Sequence, residues 1–282
     1  MSNTVYYHHP DDNQYSLAYV TEDRDSIHSS DSDAKIERFD FGTPFYVLYT
    51  NNGASGTVDD IDDKFDQALD SFDSDDRIIT LRYLQIFEGV IEEKELEEGE
   101  KLGIYKNIEV ENIPDALSQI DWTGAAVDVA GQLMSTLILK HALPNANHRT
   151  SISLAEWYLE SAQSGFSLPK LATQDYDWQR WVDDYIAESK RILTVRRNTT
   201  AFSFLQDWGC EVVERKGDIS IKLADYDLTL PRSKALTQYA QKHADLCTEF
   251  MIDSVERGGH TELIRISGPT KSDFATYLSE SA

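Results

Sequence analysis

The run His141-Ala-Leu-Pro-Asn-Ala-Asn-His-Arg149 sets a proton acceptor, two asparagines, a small residue and a guanidinium in close succession. A histidine exchanges a proton near neutral pH, which suits it to general-base work on a hydroxyl. Ala146 is small enough for the backbone to approach an anion. Asn145 and Asn147 beside it tolerate left-handed φ/ψ, so that successive N–H groups can form a concave nest. Arg149 can fork two donors onto phosphate oxygens. Residue types in this order point to proton transfer beside a bound phosphate.

Two helices are needed to hold such a loop. From Asp121 onward, Ala125, Val129, Leu133, Thr136, Leu137 and Lys140 recur at helical spacing. This predicts a long helix that stops near Leu143, because the residue before Pro144 is disfavoured in the α region. A second helix is expected from Arg149 and Thr150, with Ile152, Leu154, Ala155, Trp157, Tyr158 and Ala162 on its apolar face and Gly165 just past its end. An anion at the start of that helix would meet its first N–H groups and the positive end of its dipole. His141, near the C-terminus of the preceding helix, lies where the dipole favours an imidazolium.

The segment resembles the signature loop of the Fic/Doc (Fido) family, His-x-Phe-x-(Asp/Glu/Asn)-(Gly/Ala)-Asn-(Gly/Lys)-Arg. The resemblance implies a mainly α fold: a Fido helical core with a short β-hairpin flap, plus small β-containing N- and C-terminal extensions. It implies a nucleotide-dependent transferase with ATP as co-substrate, moving a phosphoryl or AMP group onto a protein that presents a Ser, Thr or Tyr hydroxyl. His141 would be the catalytic base. Asn145, Ala146, Asn147, His148 and Arg149 would bind the nucleotide phosphates, with Asn145 the position for Mg2+. The Asn-Ala-Asn-x-Arg-Thr run is similar to the Doc branch, which implies a toxin, an antitoxin or oligomer as partner, and phosphoryl transfer slightly ahead of AMP transfer. Upstream, Gly103-Ile-Tyr-Lys-Asn-Ile-Glu-Val110 is similar to the flap that holds the target, which would give Tyr105, Lys106, Asn107 and Ile108 that role.

Departures from the pattern carry information. Leu143 replaces the aromatic anchor. Asn145 stands where an acidic residue usually holds magnesium, and losing one negative charge beside a dication forfeits on the order of several kcal/mol in a partly desolvated site. Its carbonyl remains a hard oxygen ligand, so weaker metal binding is expected. His148 occupies the Gly/Lys place, and Ile152 replaces the second arginine of adenylylating members; both turn the expectation away from ordinary AMP transfer. The alternative is a catalytically degenerate Fido protein that binds nucleotide or a partner protein without chemistry, and Asn145 is its best support.

Other patterns are weaker. A His-Asn-His nuclease reading of His141, Asn147 and His148 fails because that site needs a β-hairpin before its helix and histidines much farther apart. His243 and Cys247 stand at i, i+4 on an expected helix, a spacing that suits two zinc ligands or two buried structural residues, and no nearby pair completes a tetrahedral set. Thr276-Tyr-Leu-Ser-Glu280 has the spacing of the family's inhibitory helix, with Ser281 where glycine or asparagine is expected.

Composition bounds the setting. Asp plus Glu number 50 against 26 Lys plus Arg, a formal net charge of −24, which would repel a phosphate backbone; nucleic acid is not an expected partner. Arg191, Arg196 and Arg197 form the tight basic cluster. Acidic residues dispersed through nearly every segment fit a halophilic surface adapted to molar salt, where the Debye length falls to about 3 Å. No apolar run approaches the ~18 residues of a membrane span, so no membrane partner is expected. Residues Met1 to Gln14 lack the basic flank and apolar stretch of a secretory signal, so a cytoplasmic protein is expected. Cys210 and Cys247 make no disulfide framework.

Three segments are expected along the chain: 1–56, an N-terminal extension with β-strands; 57–198, the helical core; and 199–282, a small α+β module. Asp11–Asp33 reads as a loose polar arm with a short alternation at Tyr15–Val20. Lys35–Thr50, containing Phe45–Tyr49, reads as a strand, Val58–Phe72 and Ile78–Ile91 as helices, Gly103–Pro114 as short extended pieces, and Trp178–Leu193 as a helix. After Thr199 a helix, a hairpin around Ile219–Leu230 and a terminal helix from Ser233 are expected.

Overall fold

The alternation at Tyr15–Val20 and the aromatic run Phe45–Tyr49 are partners in the computed structural model, which describes residues 2–27, 34–51, 56–57, 65–98, 103–104, 106–173 and 177–281. In chain order the strands are β1 (Thr4–Tyr6), β2 (His8–His9), β3 (Asp12–Thr21), β4 (Lys35–Asp40), β5 (Pro44–Asn51), β6 (Gly56–Thr57), β7 (Gly103–Ile104), β8 (Val212–Arg215) and β9 (Ile219–Lys222). The α-helices are α1 (Phe65–Leu69), α2 (Ser74–Glu98), α3 (Asn112–Leu117), α4 (Ala126–Lys140), α5 (Asn147–Ala162), α6 (Arg180–Asp207), α7 (Arg232–Gly258) and α8 (Lys271–Glu280). The architecture is mainly α with small β-containing parts. Packing divides it into two compact units, residues 1–53 with 187–241 and residues 54–186 with 242–282, whereas the sequence suggests three consecutive segments. Helices α6 and α7 each contribute to both units.

In the first unit, β2, β3, β5 and β4 form an antiparallel sheet in that order, and β1, β8 and β9 form another in which β1 runs parallel to β8. Asp12–Thr21 is therefore a ten-residue strand rather than a loose arm. Asn13, Gln14 and Tyr19 are exposed, while Ser16, Leu17 and Val20 are buried. The hairpin also lies earlier than expected, pairing Val212 with Lys222 around a turn in which Gly217 (φ 77°) and Asp218 (φ 55°) take the left-handed conformations. Helix α6 continues past Leu193 to Asp207, bending where Asn198 leaves helical φ/ψ and donates from Nδ2 to the Thr194 carbonyl at 2.7 Å. Phe45 stacks on Trp208 with centroids 5.1 Å apart, and Tyr49 donates from its hydroxyl to the Tyr6 carbonyl at 2.8 Å.

The second unit holds the helices that carry the loop. Helix α4 packs against α5, α3 against α4, and α2 against α5 and α8. The apolar stripe predicted on α4 is buried, with Val129, Leu133 and Leu137 inaccessible to solvent, as are Leu154 and Tyr158 of α5. Gly131 makes this packing possible: a Cβ there would lie 2.6 Å from Cα of Thr248 on α7. Tyr83 of α2 and Ser151 of α5 share a buried hydrogen bond of 3.0 Å, and burial pushes the Tyr83 phenol up from its ordinary pKa. Lys271 at the start of α8 pairs with Asp76 of α2 at 2.7 Å, and a Thr270–Asp273 capping box closes the N-terminus of α8. Gly103–Ile104 pairs antiparallel with Gly56–Thr57, and the last three residues of the stretch expected as extended pieces, Asn112 to Pro114, instead begin the short helix Asn112–Leu117. Pro114 fits its first turn, where no intrahelical N–H bond is required. Of the expected helix Val58–Phe72, residues 58–64 lie outside the described residues.

Candidate functional site

The two helices stop and start around the loop through left-handed residues. Helix α4 ends at Lys140, earlier than Pro144 alone requires, because His141 adopts φ 52°, ψ 46° and donates its N–H to the Leu137 carbonyl at 3.0 Å. This αL cap, usually left to glycine, fixes the backbone from which the imidazole projects at the negative end of the helix dipole. Helix α5 begins at Asn147, before the expected Arg149, because Ala146 at its N-cap is also left-handed, φ 53°, ψ 16°. The first intrahelical bond runs from Thr150 N–H to the Ala146 carbonyl at 3.0 Å. The amides of Asn147, His148 and Arg149 thus lie in the first turn, outside the intrahelical ladder.

Between these ends the loop is anchored from below. Ala142 and Leu143 are inaccessible to solvent. Asn147, buried, accepts from Leu143 N–H at 3.2 Å and donates from Nδ2 to the Leu143 carbonyl at 2.9 Å and to the Asn145 carbonyl at 3.3 Å. Its side chain closes the loop on itself. Asn145 turns its Oδ1 onto the Ala146 N–H at 2.7 Å. This neutral oxygen already accepts a hydrogen bond, and the loop carries no carboxylate. As a hard neutral oxygen it is chemically able to make one contact to a divalent cation, and it belongs to no carboxylate cage. Among the described residues no group of three or more His, Cys, Asp or Glu side chains is arranged to hold a metal ion. Ile152 is buried in the core, so its position offers no second cation to a phosphate.

His148 and Arg149 are half-buried in the first turn of α5. The Arg149 guanidinium carbon lies 4.0 Å from the centroid of Trp178, a contact absent from the sequence reading because the two residues belong to different elements. Trp178 lies in the connection between α5 and α6, where Gln179 N–H donates to the Leu171 carbonyl at 2.8 Å and Thr173 N–H to the Asp177 carbonyl at 2.7 Å. The same connection is tied to α5 where Glu156 accepts from Leu168 N–H at 2.7 Å, and burial raises the Glu156 carboxyl pKa.

Of the flap residues, Tyr105 lies outside the described residues. Lys106, Asn107 and Ile108 are in irregular backbone rather than a hairpin strand, and the strand partner of Gly103–Ile104 is the distant Gly56–Thr57. The segment nevertheless runs beside the loop, since Glu109 N–H donates to the Ala142 carbonyl at 2.9 Å, adjacent in sequence to His141. Lys106 and Glu109 pair at 3.0 Å.

The weaker patterns fall elsewhere. His243 and Cys247 are buried on α7, where His243 Nδ1 lies 2.7 Å from Ser135 Oγ of α4 and 3.7 Å from Cys247 Sγ. This is a polar contact inside the helical core, and burial pushes the Cys247 thiol above its usual pKa. Thr276 and Glu280 lie on α8, which makes ring contacts with Trp157 and Tyr158 of α5 through Tyr277 and Phe274 and with Trp122 through Phe274. Among the described residues no helix is long and apolar enough to cross a membrane.

No curated protein and no solved structure matches the chain. The profile of one protein family matches residues 1–282, and the chain belongs to that family, the family of unknown function DUF8172.

Proposed function

We propose that this protein is a Fic/Doc-type transferase that moves a phosphoryl or AMP group from ATP onto a Ser, Thr or Tyr hydroxyl of another protein. One observation carries the reading: a left-handed histidine ends one helix, and a left-handed alanine starts the next, within a loop of Fido sequence pattern. That arrangement puts a base at a negative helix end and first-turn amides with Arg149 at a positive one. In the reaction, the target hydroxyl gives its proton to the His141 imidazole while its oxygen forms a bond to phosphorus. Attack at the γ-phosphorus breaks the bond to ADP; attack at the α-phosphorus breaks the bond to pyrophosphate. Arg149 and the loop amides stabilise the charge on the transferring group. Magnesium, carried by the nucleotide, would find Asn145 as its protein oxygen and would help neutralise the phosphates.

A cytoplasmic setting with an antitoxin or oligomeric partner, at molar salt, completes the proposal. The second reading, a degenerate Fido protein that binds nucleotide without transfer, is favoured by Asn145, whose neutral Oδ1 is already hydrogen-bonded. Label transfer from ATP to protein separates the two: transfer that disappears in His141→Ala supports the enzyme, and retained ATP binding without transfer identifies the degenerate form.

A further inference from the structure

We propose that Trp178 is a positioning residue for Arg149, holding the guanidinium in the orientation in which it receives the nucleotide phosphates. The inference rests on the transferase reading of the loop. An arginine side chain has many rotamers, and one that must meet a phosphate bidentately loses that freedom on binding unless something fixes it beforehand. Here the guanidinium carbon lies 4.0 Å from the indole centroid, well within cation–π range. Stacking takes up the face of the guanidinium and not its edge. The N–H donors lie in the plane, and these are the groups a phosphate reads.

The ring is itself held. Trp178 forms an antiparallel bridge with Ala172, and its neighbour Gln179 donates from the backbone to Leu171 and from Nε2 to the Ala172 carbonyl at 3.0 Å. The indole therefore projects from fixed backbone, which is what a positioning residue requires. Charge gives a reason for such a device. On a chain of net charge −24, carboxylates in general compete with a phosphate for an arginine. A short-range stack on a neutral ring holds it at the loop, and is screened less by salt than a long-range ion pair.

The test is a double-mutant cycle on ATP affinity, measured by isothermal titration with MgATP on the full chain in molar KCl. Trp178→Leu is expected to weaken ATP binding about tenfold, and Trp178→Phe to stay within about threefold of wild type, since phenylalanine keeps a face for the guanidinium. In an Arg149→Ala background, Trp178→Leu should have no further effect, a non-additivity that general damage to the fold would not produce. Melting temperatures of all variants report folding independently. Equal losses from Trp178→Leu with and without Arg149 overturn the positioning role while leaving the transferase reading intact. A wild-type chain that binds no ATP overturns both.

Discussion

Asn147 and Leu143 exchange two hydrogen bonds: the Leu143 N–H donates to Asn147 Oδ1 at 3.2 Å, and Asn147 Nδ2 donates to the Leu143 carbonyl at 2.9 Å. One side-chain amide thus satisfies both polar groups of a buried residue in the middle of the loop. Asn147→Ala leaves both without that partner and is expected to destabilise the second unit by about 2 kcal/mol. Asn147→Asp can still accept but cannot donate, and it brings a charge into a buried place, so it should be at least as damaging. Denaturant unfolding of the three proteins checks this. An Asp variant as stable as wild type would show that the donor bond to Leu143 contributes nothing.

Ala146 stands at φ 53°, a conformation that disfavours any residue with a Cβ. Ala146→Gly should therefore stabilise the chain by about 0.5–1 kcal/mol relative to an unstrained Gly-for-Ala exchange, with ATP binding kept. Ala146→Val adds a β-branch and should destabilise by more than 1 kcal/mol, roughly, while crowding the approach of a phosphate. Thermal melting and ATP titration read the two effects separately. If the Val variant melts and binds like wild type, the left-handed N-cap is not the feature that builds the cradle.

His8 makes the first unit sensitive to acid. Burial, with Lys216 and Arg215 nearby, lowers its pKa from an ordinary value of 6.5 to about 4. Between those two values the unfolded chain takes up a proton that folded His8 does not. Stability therefore falls as pH drops through that window and loses no more to this group below it. The effect is on the order of 1 kcal/mol, discounted for the water that still reaches the ring. His8→Gln should reduce the fall in melting temperature between about pH 7 and pH 4.5. An unchanged pH profile in the variant would remove His8 as the cause.

The helical frame of the loop was readable because its signals are local. The α4 stripe at Val129, Leu133 and Leu137 and the break before Pro144 lie within a few turns of one another, so α4 and α5 fall near their expected places. Their exact ends depended on His141 and Ala146 taking left-handed backbone, which composition permits but does not announce. Pairings between distant segments left no such trace. Thr4 opposite Val212 in a parallel pair, Gly56 opposite Ile104, and Trp178 over Arg149 arise from tertiary packing. Asp12–Thr21 differs for a related reason: its first residues are polar, and only the pairing with a distant strand shows that the whole segment is extended. The departures at Asn145 and Ile152 were visible as residue types, whereas their consequences, an engaged carbonyl and a buried side chain, required the structure.

In the proposed reaction His141 takes the proton from a protein hydroxyl as that hydroxyl captures part of ATP. The most direct measurement incubates the purified chain with lysate of its source cells in molar KCl and ATP labelled at either the α or the γ phosphate. Label should appear on a protein with wild type and fall about 100-fold or more with His141→Ala, the usual scale of general-base loss. Label from γ alone assigns phosphoryl transfer, and label from α assigns AMP transfer. Labelling of equal strength with His141→Ala, or none from either position with a folded wild-type chain, would contradict the account.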